Sequence, residues 1–189
     1  MKMKLGIFAS GNGSNAVNIS KHFASNDQIS VAKIYCNNPA AGIITKAFTL
    51  DVALHLFTRK QLIDGSLLDQ LRKDKIDIII LAGFLWLIPP SFVKAYPNRI
   101  INIHPALLPN YGGKGMYGMR VHEAVVKNKE VETGITIHLV DEKYDNGGHL
   151  FQAKVPLTPD DDAQVVAEKI HKLEQKHFPE VIENYLNSL

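Results

Sequence analysis

The chain has 189 residues, 46% of them hydrophobic, which is enough for one α/β domain with a substantial core. A net charge of +2 points to neither a nucleic-acid groove nor an anionic membrane surface. A single cysteine, Cys36, excludes an internal disulfide and suits a reducing compartment.

No stretch approaches the ~20 apolar residues of a membrane helix. The apolar run after Lys4 breaks at Gly11, too early for a signal peptide. No repeat, low-complexity tract or linker interrupts the chain. Residues 1–189 are therefore expected to form a single cytoplasmic domain.

Leu5 to Ala9 reads as a buried first strand. It runs into Ser10-Gly11-Asn12-Gly13-Ser14-Asn15, and an amphipathic helix follows. Glycines between a strand and a helix start let the backbone approach an anion, which the helix amides and dipole attract. The third glycine of a dinucleotide fingerprint is missing, and so is a Walker lysine-serine pair. The loop alone fits a small-phosphate cradle or a plain tight turn.

Ile29 to Tyr35 predicts a second strand, Ala40 to Leu50 a helix, Val52 to Phe57 a third strand and Leu67 to Lys73 a helix. Ile76 to Ala82 is apolar on both faces, as in a covered parallel sheet. Leu85-Trp86-Leu87-Ile88 after it suits either core or the wall of a pocket for a flat heterocycle. A short helix from Ser91 to about Ala95 leads into Arg99-Ile100-Ile101-Asn102-Ile103-His104-Pro105. Residues two apart share a strand face, so Asn102 and His104 stand together. Pro105 lacks an amide hydrogen and ends the strand near His104. An amide and an imidazole then meet at the carboxyl end of a strand, where open α/β sheets bind ligands.

Asn110 to Gly118 is a glycine-rich loop placed to act as a lid. Val121 to Lys127 predicts a helix and Gly134 to Val140 a strand, in which His138 is expected to be structural. An acidic turn from Asp141 to Gly148 precedes a strand from His149 to Val155. Asp161 to Leu189 is mainly helix, with Asp160 or Asp161 expected as its cap. The order of elements predicts a Rossmann-like, doubly wound, mostly parallel sheet with an antiparallel addition near the C-terminal end.

Four separated motifs agree in order and spacing. Gly11-Asn12-Gly13-Ser14-Asn15, Ala82-Gly83-Phe84, Asn102-x-His104-Pro105-x-Leu107-Leu108-Pro109 and Asp145-x-Gly147 resemble those of the folate-dependent formyltransferases. The first of them resembles the branch acting on 5′-phosphoribosylglycinamide, and His171-x-x-Glu174 agrees with it. The resemblance covers nearly the whole chain. It implies the formyltransferase fold and transfer of the formyl group of 10-formyltetrahydrofolate to the amine of that nucleotide, with no metal.

Carried over by position, the resemblance makes Asn102, His104 and Asp145 catalytic. Gly11, Asn12, Gly13, Ser14 and Asn15 would hold the substrate phosphate, with Glu174 on the ribose and His171 as a second polar contact. Folate would lie on Leu85, Trp86, Leu87, Ile88, Asp141 and Asn102. The expected partners are small molecules, with no nucleic acid and no membrane, and the state is monomer or homodimer. These roles suit the chemistry. Amine attack on a formyl carbon makes an oxyanion to which Asn102 and His104 can donate. A carboxylate favours a charged imidazole and can relay a proton through water.

Three positions depart from the family pattern. Trp86 replaces an arginine, the loop through Gly118 is long, and Asn146 stands where glycine is usual. The rival readings are another formyltransferase (acting on methionyl-tRNA or a nucleotide sugar, or hydrolysing formyltetrahydrofolate), a non-catalytic nucleotide-binding protein, and a zinc hydrolase built on His104, His122, His138 and Asp145.

Overall fold

The computed structural model describes residues 2–143 and 145–189, so Tyr144 of the acidic turn lies outside the described residues, as does Met1. The chain divides into two compact units, Met1–Ile101 and Asn102–Leu189. The first holds β1 (Met3–Ala9), α1 (Ser14–His22), β2 (Ile29–Cys36), α2 (Ile43–Thr49), β3 (Leu54–Leu56), α3 (Arg59–Ile63), α4 (Ser66–Lys73), β4 (Ile78–Leu81) and α5 (Pro90–Ala95). Strand β5 (Ile100–His104) runs through the boundary. The second unit holds α6 (Met119–Lys127), β6 (Glu132–Leu139), β7 (His149–Pro156) and α7 (Ala163–Asn187).

The strands follow the order β3-β2-β1-β4-β5-β6-β7. β1 pairs in parallel with β2 and β4, β2 in parallel with β3, and β6 antiparallel with β7. This is the mostly parallel sheet with a C-terminal antiparallel addition that the element order predicts. Among the described residues, no helix is long and apolar enough to cross a membrane.

In the first unit the core gathers on Phe8 of β1. Its ring lies 5.3 Å from those of Tyr35 and Phe84 and 5.7 Å from that of Phe57. Such pairs add about 0.5–1.5 kcal/mol each beyond the area they bury. Ile78, Ile79 and Ile80 are all fully buried, so β4 is covered on both faces. In the second unit both faces of β6 are also buried, because Thr136 and His138 are as enclosed as Ile135 and Ile137.

Local polar groups move several boundaries from their expected places. α2 begins at Ile43 and not at Ala40, because the Asn38 side chain accepts from the amide of Ala40 (3.0 Å) and turns the chain there. α3 was not expected. Thr58 and Gln61 close a reciprocal capping box at its start, with the Thr58 amide donating to Gln61 Oε1 at 2.8 Å. The cap of α7 is Asp162, which accepts from the amide of Val165 (2.8 Å), and neither Asp160 nor Asp161. Asp161 instead accepts from the Thr158 amide and pairs with Lys169.

Candidate active site

In the second unit, β5 ends at His104 as expected, before Pro105. Asn102 and His104 project from one face, and His104 is buried. β6, next to β5 in the sheet, brings His138 to Asn102. Asn102 Nδ2 donates to His138 Nε2 at 3.0 Å, and His138 Nδ1 donates to the Leu139 carbonyl at 2.8 Å. Accepting at Nε2 and donating at Nδ1 makes this imidazole neutral. Burial drives its pKa below the ordinary value of 6.5, outweighing the opposing pull of the Leu139 carbonyl and Asp145.

Asp145 completes the cluster. Its Oδ2 lies 3.7 Å from His104 Nδ1 and its Oδ1 lies 3.7 Å from His138 Nε2. The carboxylate therefore faces both imidazoles at charge-pairing distance, too far for direct hydrogen bonds. The backbone is shaped to place it there. Asp145 is itself in the left-handed region (φ 50°), and any Cβ on Gly147 would overlap the Leu139 carbonyl. Asn146, one of the departures from the family pattern, donates to Asp141 Oδ2 at 2.8 Å. Asp141 Oδ1 accepts from the Lys143 amide at 2.8 Å. The Asp141 carboxylate is thus engaged in closing the turn that presents Asp145.

The glycine-rich loop engages the same groups. His104 Nε2 donates to the Tyr111 carbonyl at 2.8 Å, and the Gly113 amide donates to Asp145 Oδ2 at 2.8 Å. With Nε2 carrying that hydrogen, Nδ1 is the atom His104 turns to Asp145. The Tyr111 hydroxyl anchors the loop by donating to Glu130 (2.6 Å) and accepting from Asn128 (2.8 Å). Behind the strand end, Thr136 Oγ1 accepts from the Leu108 amide (3.0 Å) and donates to the Ala106 carbonyl (2.7 Å).

His171 and Glu174 lie one turn apart on α7, 3.6 Å from each other, and Glu174 raises the His171 pKa. His122 on α6 is buried with its Nδ1 unpartnered. Burial lowers its pKa, Glu174 opposes that, and His104 reinforces it. Among the described residues no three His, Cys, Asp or Glu side chains are arranged to hold a metal ion.

In the first unit, the loop from Gly11 to Asn15 leads into α1, which has no side-chain cap and no acidic residue in its first turn. Gly13 is left-handed (φ 75°), and the Ile43 side chain fills the space a Cβ would need. Ser10 joins the loop to the Leu85 segment, because its amide donates to the Gly83 carbonyl (3.1 Å) and its Oγ accepts from the Leu85 amide (3.1 Å).

The Leu85 to Ile88 segment divides. Ile88 belongs to the core, whereas Leu85 and Leu87 are 49% and 41% exposed. Trp86 rests edge-on against Phe57 and Phe84, with the Arg59 guanidinium 5.8 Å from its ring.

Fold and cluster together describe an α/β protein with acid–base side chains at the carboxyl end of a strand. The model of the formyl transferase family matches residues 3–182. The chain is 38% identical over 96% of its length to the chloroplastic phosphoribosylglycinamide formyltransferase of Vigna unguiculata, of which it spans 60%. It is 33% identical over 97% of its length to the phosphoribosylglycinamide formyltransferase of Bacillus subtilis, spanning 94% of that protein. The crystal structure of glycinamide ribonucleotide transformylase 1 from Geobacillus kaustophilus superposes with a TM-score of 0.87 at 33% identity, covering 96% of this chain and 97% of that one. The chain belongs to the formyl transferase family.

Proposed function

We propose that this protein transfers the formyl group of 10-formyltetrahydrofolate to the amine of 5′-phosphoribosylglycinamide, giving tetrahydrofolate and the formylated nucleotide. The observation that carries the reading is Asp145 at 3.7 Å from both His104 and His138, with Asn102 bonded to His138. The names of relatives that the chain spans almost entirely support the choice of nucleotide.

The amine attacks the formyl carbon, and negative charge gathers on the formyl oxygen. Asn102 has a second Nδ2 hydrogen to give it, and His104 donates once the Tyr111 carbonyl yields Nε2. Asp145 stabilises the imidazolium at His104 Nδ1 and passes the proton shed by the attacking nitrogen, through water, to the departing folate nitrogen. His138, neutral and doubly hydrogen-bonded, orients the Asn102 amide.

Gly11, Asn12, Gly13, Ser14 and Asn15 bind the phosphate, Glu174 the ribose hydroxyls and His171 a further polar group of the nucleotide. The folate ring system rests on Leu85, Trp86, Leu87 and Ile88, on main-chain groups around Asp141, and against Asn102. The two units work as one formyltransferase domain, without a metal, as a cytoplasmic monomer or homodimer. Incubating the pure protein with both substrates tests the reading. Equal amounts of tetrahydrofolate and formylated nucleotide are expected, and no turnover by folded protein would remove it.

A further inference from the structure

The phosphate loop contains no cation of its own, and one reaches it from another element. Lys46, in the last turn of α2, extends its ammonium to Asn12. Nζ donates to the Asn12 carbonyl at 2.8 Å and to Asn12 Oδ1 at 2.6 Å. Among the described residues no carboxylate pairs with it. The rest of α2 grips the same stretch. The Ile43 amide donates to the Gly11 carbonyl at 3.2 Å, and the Ile43 side chain occupies the space beside Gly13. Asn38, just before α2, donates to the Ser10 carbonyl at 3.2 Å. In each of these hydrogen bonds an amide or ammonium donates to a loop oxygen. Turning those oxygens towards α2 turns the neighbouring amide hydrogens the other way.

We propose that Lys46 is a positioning and specificity residue for the phosphate of the nucleotide substrate. It holds the Asn12 peptide so that the following amides face the anion, and its uncompensated charge favours a phosphorylated ligand over a neutral one. This rests on the phosphate role assigned to residues 11–15. A lysine that merely stabilised the fold would neither distinguish phosphorylated from unphosphorylated ligand nor be replaceable by arginine alone.

The test is equilibrium titration of wild type, Lys46→Met and Lys46→Arg with 5′-phosphoribosylglycinamide and with its dephosphorylated riboside. Wild type should prefer the phosphorylated form. Lys46→Met should bind that form about tenfold more weakly, as for loss of one charge-assisted contact, with riboside and folate binding unchanged. Lys46→Arg should restore most of the preference, and it carries the test if the methionine variant folds poorly, since preference would then have to survive with arginine and vanish with Lys46→Gln. Full preference in the uncharged variant overturns the inference while leaving the phosphate loop intact. A wild type that binds both ligands equally removes the phosphate role of the loop, and this inference with it. Because binding is measured without turnover, failure of formyl transfer is a separate outcome.

Discussion

Asp145 stands far from His104 in the sequence, and the two meet only because a left-handed residue and a tight glycine turn aim the carboxylate back at β5. Asp145→Asn keeps the shape and removes the charge. Both substrates should bind within a few-fold of wild type, while turnover falls by roughly 10²–10⁴. His104→Ala should do similar damage, and the double variant should cost far less than the product of the two, as steady-state kinetics on all three would show. Asn102 and His104 were legible from their alternation before Pro105, because strand period alone places them together. His138 was not. Alternation put it on a face of β6, but only the neighbouring position of β5 and β6 reveals that this face meets Asn102. Its burial predicts an NMR titration midpoint below 6.5, and a midpoint at or above that value would contradict the dominance of burial over the pull of the Leu139 carbonyl and Asp145.

Elements with strong periodicity are legible in the sequence, and those set by a few polar contacts are not. The start of α2 depends on an Asn38 turn, and α3 on the Thr58–Gln61 box, a two-residue polar signal weaker in the sequence than the apolar pattern of α4. Periodicity also left the Leu85 to Ile88 stretch undecided between core and pocket wall. The structure separates its residues, with Leu85 half-exposed and Ile88 enclosed. Leu85→Asp should therefore fold normally, because the new charge stays in water in the free protein. Against a bound folate ring the same charge would lose its hydration, so folate binding should collapse while nucleotide binding survives. Calorimetric titration with each ligand checks this, and unchanged folate affinity would release the segment from the proposed pocket.

At the scale of the whole molecule, stability has a pH-sensitive anchor remote in sequence from Asn102, His104 and Asp145. Asp74, after α4, accepts from Lys33 (2.6 Å), Tyr35 (2.6 Å) and Gln70 (3.1 Å), tying α4 to β2. Burial pushes its carboxyl up, but these donors together outweigh that and bring its pKa down from 3.8 to about 2. A carboxyl depressed on folding stabilises above its unfolded value, and the contribution fades as pH falls from about 4 towards 2. With a side chain only 15% exposed, the shift corresponds to about 2 kcal/mol. Asp74→Asn should be destabilised by about that amount in urea at pH 7, and its deficit should shrink steadily below pH 4. A deficit independent of pH would assign it to packing. Function at this scale rests on where the formyl group goes, and its fate can be followed directly by supplying 10-formyltetrahydrofolate carrying a ¹³C formyl carbon together with 5′-phosphoribosylglycinamide, and recording carbon NMR. The label should move to an amide carbon on the nucleotide as tetrahydrofolate accumulates. Label that stays on folate, or that appears as free formate, would contradict the account.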